Sequence, residues 1–187
     1  MNYGAIVIGC SAGGLSALLA ILSSLPKDFS LPVIIVQHRS KEEPTLLEQV
    51  LSHKCQIRIR QADEKELIEA GVVYFAPPDY HLLIEEDRTF SLSFEPPVNF
   101  SRPSIDILFE TAAAVFKKKL LGIILTGASR DGAEGIKRIR YAKGTTVAQD
   151  PATAHYPVMP QAAIDTGCVQ HILDLNGIKD LLFSIRS

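Results

Sequence analysis

The chain has 187 residues, of which 47% are hydrophobic and 21% are charged, and its formal net charge is -2. This composition is typical of an ordered globular protein with a single domain over residues 1–187, and the near balance of charge gives no reason to expect nucleic acid or an anionic membrane as a partner. The apolar stretches fall short of the roughly 18 residues that a membrane-spanning helix needs, and three cysteines without C-x-x-C spacing indicate a reducing compartment, which predicts a cytoplasmic protein.

The first residues predict a buried strand that runs through a glycine-rich turn into a helix. Residues 5–8 are continuously apolar, and residues 15–25 repeat leucine and isoleucine at helical spacing. Between them, Gly9, Ser11 and Gly13 fit the pattern G-x-S-x-G, in which small neighbours let the backbone turn sharply and leave the serine hydroxyl exposed. Ser11 is therefore a candidate nucleophile, and the free N–H groups of the helix start point toward negative charge that develops there.

Three other roles compete for this turn. A phosphate-binding P-loop requires lysine where this chain has Leu15. A dinucleotide-binding turn requires glycine in place of Ser11 and an acidic residue after the next strand, where this chain has Gln37 and His38. The third role, in which Ser11 only caps the following helix, is left open by the motif alone.

The following segments predict an α/β protein. Residues 32–36 form a second buried strand, parallel to the first because a helix connects them. A polar loop and a helix over 45–53 follow, and the middle of the chain has short strands that are predicted to pair antiparallel within a mixed sheet. The further predicted strands are 56–60, 71–78, 81–84, 89–94, 120–125 and 145–149, and the further helices are 104–119, with Ser104 as its cap, 133–141, 159–166 and 177–184.

A serine nucleophile needs a base, and the base needs an acidic partner that orients it. Among the five histidines, His38 follows the strand predicted to lie beside the Ser11 strand, so the two residues share the carboxyl edge of the sheet. His155, in a loop after another buried strand, is the alternative base. Asp131 and Asp150 both follow buried strands, and Asp131 is the better acid because glycines flank its loop, although it could also serve only as a helix cap.

Six segments of the chain, in the order in which they occur, match the motifs of one known family. Together they resemble the catalytic domain of the bacterial chemotaxis protein-glutamate methylesterases, the CheB family, over nearly the whole chain. The matching segments are Ile8-Gly-Cys-Ser-Ala-Gly-Gly14, Val36-Gln-His38, Tyr74-Phe-Ala-Pro-Pro-Asp-Tyr-His81, Arg102-Pro-Ser-Ile-Asp106, Leu125-Thr-Gly-Ala-Ser-Arg-Asp-Gly-Ala133 and Ala148-Gln-Asp150.

The resemblance implies a doubly wound α/β domain with a mostly parallel sheet, helices on both faces and an antiparallel hairpin. It places the nucleophile on Ser11, the base on His38 and the third triad residue on Asp131, and it points to the backbone N–H groups at Ala12 and Ala128 as the oxyanion donors. The implied reaction is hydrolysis of glutamyl methyl esters on the cytoplasmic helical bundle of a chemoreceptor, through an acyl-enzyme and without metal or cofactor. The same chemistry permits glutamine deamidation.

The chain departs from the family pattern in four places. Ala12 replaces the usual threonine, Ala128 replaces the usual methionine, and Arg39 and Ser40 replace an apolar residue and proline beside the site. The family's N-terminal receiver domain does not precede the first strand, so regulation in cis is not expected and a separate receiver protein is a candidate partner. Ala12, Ala128 and the missing receiver domain motivate an alternative function, a catalytically degenerate module of the same fold that only binds receptors or signalling partners.

Overall fold

The computed structural model describes residues 3–39 and 47–185. Its strands are β1 (Ala5–Cys10), β2 (Val33–Gln37), β3 (Arg58–Gln61), β4 (Val72–Phe75), β5 (His81–Ile84), β6 (Phe90–Ser93), β7 (Leu120–Ile124), β8 (Thr145–Gln149) and β9 (His171–Leu173). Its helices are α1 (Gly14–Leu22), α2 (Leu47–Lys54), α3 (Ile105–Phe116), α4 (Ala133–Tyr141), α5 (Val158–Asp165) and α6 (Leu175–Ser184).

The main sheet has the strand order β3-β4-β2-β1-β7-β8-β9, and each of these neighbours pairs in parallel. The chain winds outward from β1 first in one direction, through β2, and later in the other, through β7. This reversal creates the topological switch point at which open α/β sheets bind their ligands. The strands β5 and β6 form a separate antiparallel hairpin.

The predicted antiparallel pairing in the middle of the chain is therefore wrong for β3 and β4, and the sheet is not mixed. Both strands belong to the parallel sheet, and β3 lies at its edge, where its partly exposed residues explain the alternating sequence pattern. Parallel strands usually need a helical crossover, whereas residues 62–71 connect β3 to β4 without a helix. The sequence therefore lacked the helical signal that marks a parallel pair.

Helices cover both faces of the sheet, as expected for a doubly wound fold. One hydrophobic core holds the apolar sides of α1, α2 and α6, and the other holds those of α3 and α4, a part of α5 and the hairpin. Neighbouring residues of β1 alternate between the two cores, so this central strand is buried on both faces.

The helix boundaries agree with the predicted ones to within a few residues, but two predictions fall partly outside the described residues. The first residues of the helix predicted over 45–53 and most of the polar loop 39–43 lie there. Among the described helices, none combines the length and apolar character needed to cross a lipid bilayer.

Gly135 shows how tightly the second core is packed. It is buried on α4, where a Cβ would lie 2.5 Å from the Cβ of Phe109 on α3. Alanine normally favours a helix over glycine by about 0.5–1 kcal/mol. Here we expect Gly135→Ala instead to lower the free energy of unfolding by about 1–3 kcal/mol, because α3 and α4 must separate.

Urea denaturation would measure this change. The exposed α2 position offers a control, since Ser52→Ala should change stability by less than about 0.5 kcal/mol. A stabilised Gly135→Ala protein would contradict the packing described for α3 and α4.

Candidate active site

Three predicted site residues follow three adjacent strands at one edge of the sheet. Ser11 comes directly after β1, His38 directly after β2, and Asp131 in the loop after β7. Because β1 lies between β2 and β7, the parallel register brings all three segments to the carboxyl edge at the switch point.

The turn after β1 gives Ser11 no capping role. The residue at the N-cap of α1 is Gly13, at φ 77°, and the hydrogen bonds of the described residues include none from an N–H group of α1 to the Ser11 side chain. The alternative in which Ser11 is a helix cap is therefore wrong. Glycine is required at position 9 by close packing and not by the turn conformation, because a Cβ there would collide with the Ile105 side chain at the start of α3.

His38 is fixed from two sides. Its backbone N–H donates to the Cys10 carbonyl at 3.0 Å, which extends the pairing of β2 with β1. Its ring Nε2 lies 2.8 Å from Asp131 Oδ2, and its Nδ1 lies 3.4 Å from the Ser101 hydroxyl oxygen. An ionised Asp131 only accepts hydrogen bonds, so the proton of a neutral imidazole is assigned to Nε2 and the free lone pair to Nδ1.

Asp131 is fully buried and accepts five hydrogen bonds. Besides His38, the donors are Ser104 Oγ at 2.8 Å, Ile105 N at 2.6 Å, Asn99 Nδ2 at 3.1 Å and Asp106 N at 3.3 Å. The two backbone donors belong to the first turn of α3, so this carboxylate caps α3 from another part of the chain.

This arrangement corrects two sequence predictions. Ser104 does occupy the N-cap position of α3, but its side chain makes no cap and donates to Asp131 instead. Asp131 does not cap α4, the helix that follows it, because Gly132 stands at that N-cap. The positive end of the α3 dipole lies at the Asp131 carboxylate and stabilises its charge.

The pKa values of two neighbouring carboxyls in the site, Asp131 and Asp106, are shifted in opposite directions. Burial by itself raises the pKa of Asp131, but hydrogen bonds from the His38 ring and the Ile105 N–H outweigh it and hold the pKa below its ordinary value. Burial and the nearby Asp131 charge raise the pKa of Asp106 to about 6, although the Gly135 N–H donates to this carboxyl at 2.7 Å. Below a pH of about 6 the pair thus keeps its charge on Asp131, the carboxyl that contacts His38.

Gln37 joins the two chain segments that carry Ser11 and His38. Its Nε2 donates to the Ser11 carbonyl and to the His38 carbonyl, both at 2.9 Å, and its Oε1 lies 3.1 Å from Cys10 Sγ. Gly14 leaves room for this amide, because a Cβ there would collide with Oε1. Sequence reasoning missed this role; its only signal is a polar residue that ends an apolar strand beside His38.

No hydrogen bond joins Ser11 Oγ to His38 among the described residues. The hydroxyl that lies near His38 Nδ1 is that of Ser101, and hydrogen bonds between a nucleophile and its base are often long in a free enzyme and shorten when substrate binds.

Thr126 ties the turn after β1 to the loop after β7. Its carbonyl accepts from Ser11 N at 3.0 Å, and its hydroxyl donates to the Ala12 carbonyl at 2.9 Å and accepts from Tyr156 N at 2.8 Å. Among the described residues, the backbone N–H groups of Ala12 and Ala128 have no hydrogen-bond acceptor. Both predicted donors are therefore free to bind an external oxygen.

The candidates not assigned to the triad, Asp150 and the other histidines, have different surroundings. Asp150 accepts from the backbone N–H of Ala152 at 2.9 Å, in a local turn away from His38. His155 is exposed and packs its Cβ over Gly13, but none of the described hydrogen bonds involves its ring. His81 is buried, where its Nε2 contacts the Pro96 carbonyl and its Nδ1 accepts from Ser104 N. His53 on α2 and His171 at the start of β9 are both exposed.

Comparison with known proteins identifies the family of this chain. The sequence profile described as CheB methylesterase matches residues 6–182. This chain belongs to the CheB methylesterase family. The crystal structure of the Thermotoga maritima CheB methylesterase catalytic domain matches 99% of this chain and 100% of its own, with a TM-score of 0.93 and 30% identity. The doubly wound fold implied by the resemblance is thus confirmed.

Curated relatives of the CheB family differ in length. A protein of Leptospira interrogans is 51% identical over 185 residues, which are 99% of this chain and 96% of the relative. The protein-glutamate methylesterase/protein-glutamine glutaminase of Symbiobacterium thermophilum is 36% identical over 95% of this chain but only 49% of its own length. The chain therefore spans nearly all of one relative and about half of the other.

Two of the segments that resemble the CheB family contact each other beside the site. Arg102 binds Asp79 Oδ1 through Nη2 at 2.7 Å, and His81 accepts from Ser104 N at 3.1 Å, so the segments 74–81 and 102–106 hold each other. Arg39, one of the departures, turns inward and binds both carboxylate oxygens of Glu48, at 3.0 and 2.7 Å. Ser40 lies outside the described residues.

The coupling of the two carboxyls can be tested by titration. In an Asp131→Asn variant we expect the pKa of Asp106 to fall below about 6, because a like charge is removed, while burial keeps it above the ordinary value. Carbon-13 NMR of the side-chain carboxyls would measure it.

The pH dependence of stability follows from the same shift. Since the pKa of Asp106 is higher in the folded than in the unfolded protein, its contribution to stability is full below the unfolded value of about 3.9 and is lost as the pH rises through about 6.

The control for the Asp106 titration is Glu69→Gln, at an exposed position before β4, which should leave the pKa of Asp106 unchanged. An Asp106 pKa that stays at about 6 in Asp131→Asn would contradict the coupling.

Proposed function

We propose that this protein is a serine esterase that hydrolyses glutamyl methyl esters on chemoreceptor cytoplasmic domains, a protein-glutamate methylesterase. The observation that carries the proposal is the 2.8 Å contact between His38 Nε2 and the buried Asp131 carboxylate, at the sheet edge where Ser11 follows β1. This contact leaves His38 Nδ1 as the basic nitrogen. The family membership and the names of the relatives support the substrate class.

The first half of the reaction forms an acyl-enzyme. Ser11 Oγ attacks the ester carbonyl carbon while His38 Nδ1 takes the hydroxyl proton, and Asp131 stabilises the resulting imidazolium. The tetrahedral intermediate carries its negative charge on the former carbonyl oxygen, for which the N–H groups of Ala12 and Ala128 are the donors. Losing one such donor typically costs about 10²- to 10³-fold in rate.

The second half releases the products. His38 returns its proton to the departing methoxide, methanol leaves, and a glutamyl ester of Ser11 remains. Water then attacks this ester while His38 takes a proton from it, and His38 returns that proton to the Ser11 oxygen, so that the glutamate side chain of the receptor leaves as a carboxylic acid, ionised at neutral pH, and the Ser11 hydroxyl is restored. With a glutamine side chain as substrate the same steps release ammonia, which agrees with the second activity in the relatives' names.

The proposed partner is the cytoplasmic helical bundle of a methylated chemoreceptor, which places the protein in the cytoplasm. A separate receiver protein is a second candidate partner and would regulate the activity in trans. A degenerate module that only binds such partners is the competing function, but none of the described contacts favours it, because the backbone donors at Ala12 and Ala128 survive the loss of the usual side chains.

Ser11→Ala should abolish methanol release from a methylated receptor fragment, because the acyl-enzyme forms on the Ser11 hydroxyl. Gas chromatography of the released methanol would measure the rate. Ser16→Ala is the matched control, since this exposed serine lies one turn away on α1 and should retain full activity.

The same pair of variants separates the two functions. A serine-directed fluorophosphonate should label the native protein and Ser16→Ala, but not Ser11→Ala. Native protein that resists both labelling and turnover would favour the degenerate module, and a fully active Ser11→Ala enzyme would end the esterase proposal.

Gln37→Glu should lower kcat by about 10- to 100-fold, with KM within about twofold, because the carboxylate cannot donate to the Ser11 and His38 carbonyls and their segments lose alignment. Steady-state kinetics would separate the two constants. Gln61→Glu, at the exposed end of β3, is a control for the added charge. An unchanged kcat in Gln37→Glu would mean that the amide is dispensable for positioning.

A further inference from the structure

An exposed phenylalanine stands at the tip of a tight turn beside His38. Phe100 is fully exposed, and it lines a cleft of about 320 Å³ together with His38, Arg39, Ser101, Arg102 and Pro103. The next residue, Ser101, contacts His38 Nδ1 through its hydroxyl at 3.4 Å. Phe100 therefore lies directly at the mouth of the candidate site.

The backbone of this turn is unusual for phenylalanine. Val98 N donates to the Ser101 carbonyl at 3.1 Å and Ser101 N to the Val98 carbonyl at 2.9 Å, while Asn99 and Phe100 have φ values of 50° and 62°. These features fit a type I′ turn, in which asparagine and then glycine are preferred at the two central positions. A bulky side chain at positive φ is uncommon and costs conformational energy.

The turn is also fixed to the site. Asn99 Nδ2 donates to Asp131 Oδ1 at 3.1 Å and to Asp106 Oδ2 at 2.8 Å. The position of the turn is thus set by the carboxylate that orients His38. Rigid placement lowers the entropic cost of holding a side chain against a partner.

Other large apolar side chains are exposed along the same edge. They lie on segments that follow the carboxyl ends of β1, β4 and β8, or that follow the hairpin: Leu15, Tyr80, Phe94, Tyr156 and Val158. Both arginines of the cleft are already paired, Arg39 with Glu48 and Arg102 with Asp79, so neither is left to bind an anion. Phe100 and these side chains therefore offer apolar contacts around the rim of the cleft, on which an apolar side chain of a protein partner can pack.

We propose that Phe100 is the docking anchor of this rim, and that it binds an apolar side chain of the receptor helix three or four residues from the methylated glutamate. Residues at this spacing lie on one face of a helix about 5–6 Å apart. One side chain can then enter the site while its neighbour packs on Phe100. This inference rests on the proposed function and names the part of the protein that recognises its substrate.

Phe100→Gly is a sharp test, because glycine is the preferred residue at this φ and the turn should keep its geometry and thermal stability. We expect KM for a methylated receptor fragment to rise about 10- to 30-fold, the usual loss on truncating an interface anchor, with the change in KM and not in kcat. A small fluorophosphonate should still label Ser11 in the variant, which shows an intact site. Phe100→Leu should restore most of the affinity.

Tyr141→Ala is the control, since this tyrosine is 70% exposed at the end of α4, away from the candidate site, and should leave KM unchanged. An unchanged KM in Phe100→Gly, with methanol release that still requires Ser11, would overturn the docking role and leave the esterase intact. A native protein that releases no methanol and whose Ser11 is not labelled would overturn the proposed function, and the docking role with it.

Discussion

The site depends on the buried carboxylate of Asp131. A buried charge is stable only when hydrogen bonds replace its hydration, and here the donors come from the His38 ring, the start of α3, Ser104 and Asn99. The same group therefore caps a helix, fixes the tautomer of the candidate base and positions the Asn99 turn. This shared dependence explains why residues far apart in the sequence form one unit around the edge of the sheet.

Much of this arrangement could be predicted from the sequence. Continuous apolar runs identified β1, β2 and β7, and the rule that ligands bind at the carboxyl edge of parallel strands predicted that Ser11, His38 and Asp131 lie together. The structure joins His38 to Asp131 directly. The strands and the meeting of His38 with Asp131 could be predicted because both follow from local patterns and from the register of neighbouring strands, whereas the roles assigned to Ser11, His38 and Asp131 stay predictions.

The rest depends on long-range contacts that leave no local pattern. Nothing near Asp131 in the sequence indicates that it caps α3 instead of α4, since the partner amides lie 25 and 26 residues earlier in the chain. Gln37 looks like an ordinary strand end until its amide is seen between two carbonyls. The parallel pairing of β3 was missed because its crossover contains no helix.

Thr126 gives a physical explanation for the alanine at position 12. If the side chain at this position held the turn after β1, alanine in place of the family's usual threonine would displace the backbone N–H group. Instead, Thr126 holds this turn through its own carbonyl and hydroxyl, and its hydroxyl bonds the carbonyl of Ala12 itself. The Ala12 side chain takes no part in these bonds, so the turn keeps its backbone hydrogen bonds without a larger side chain at this position.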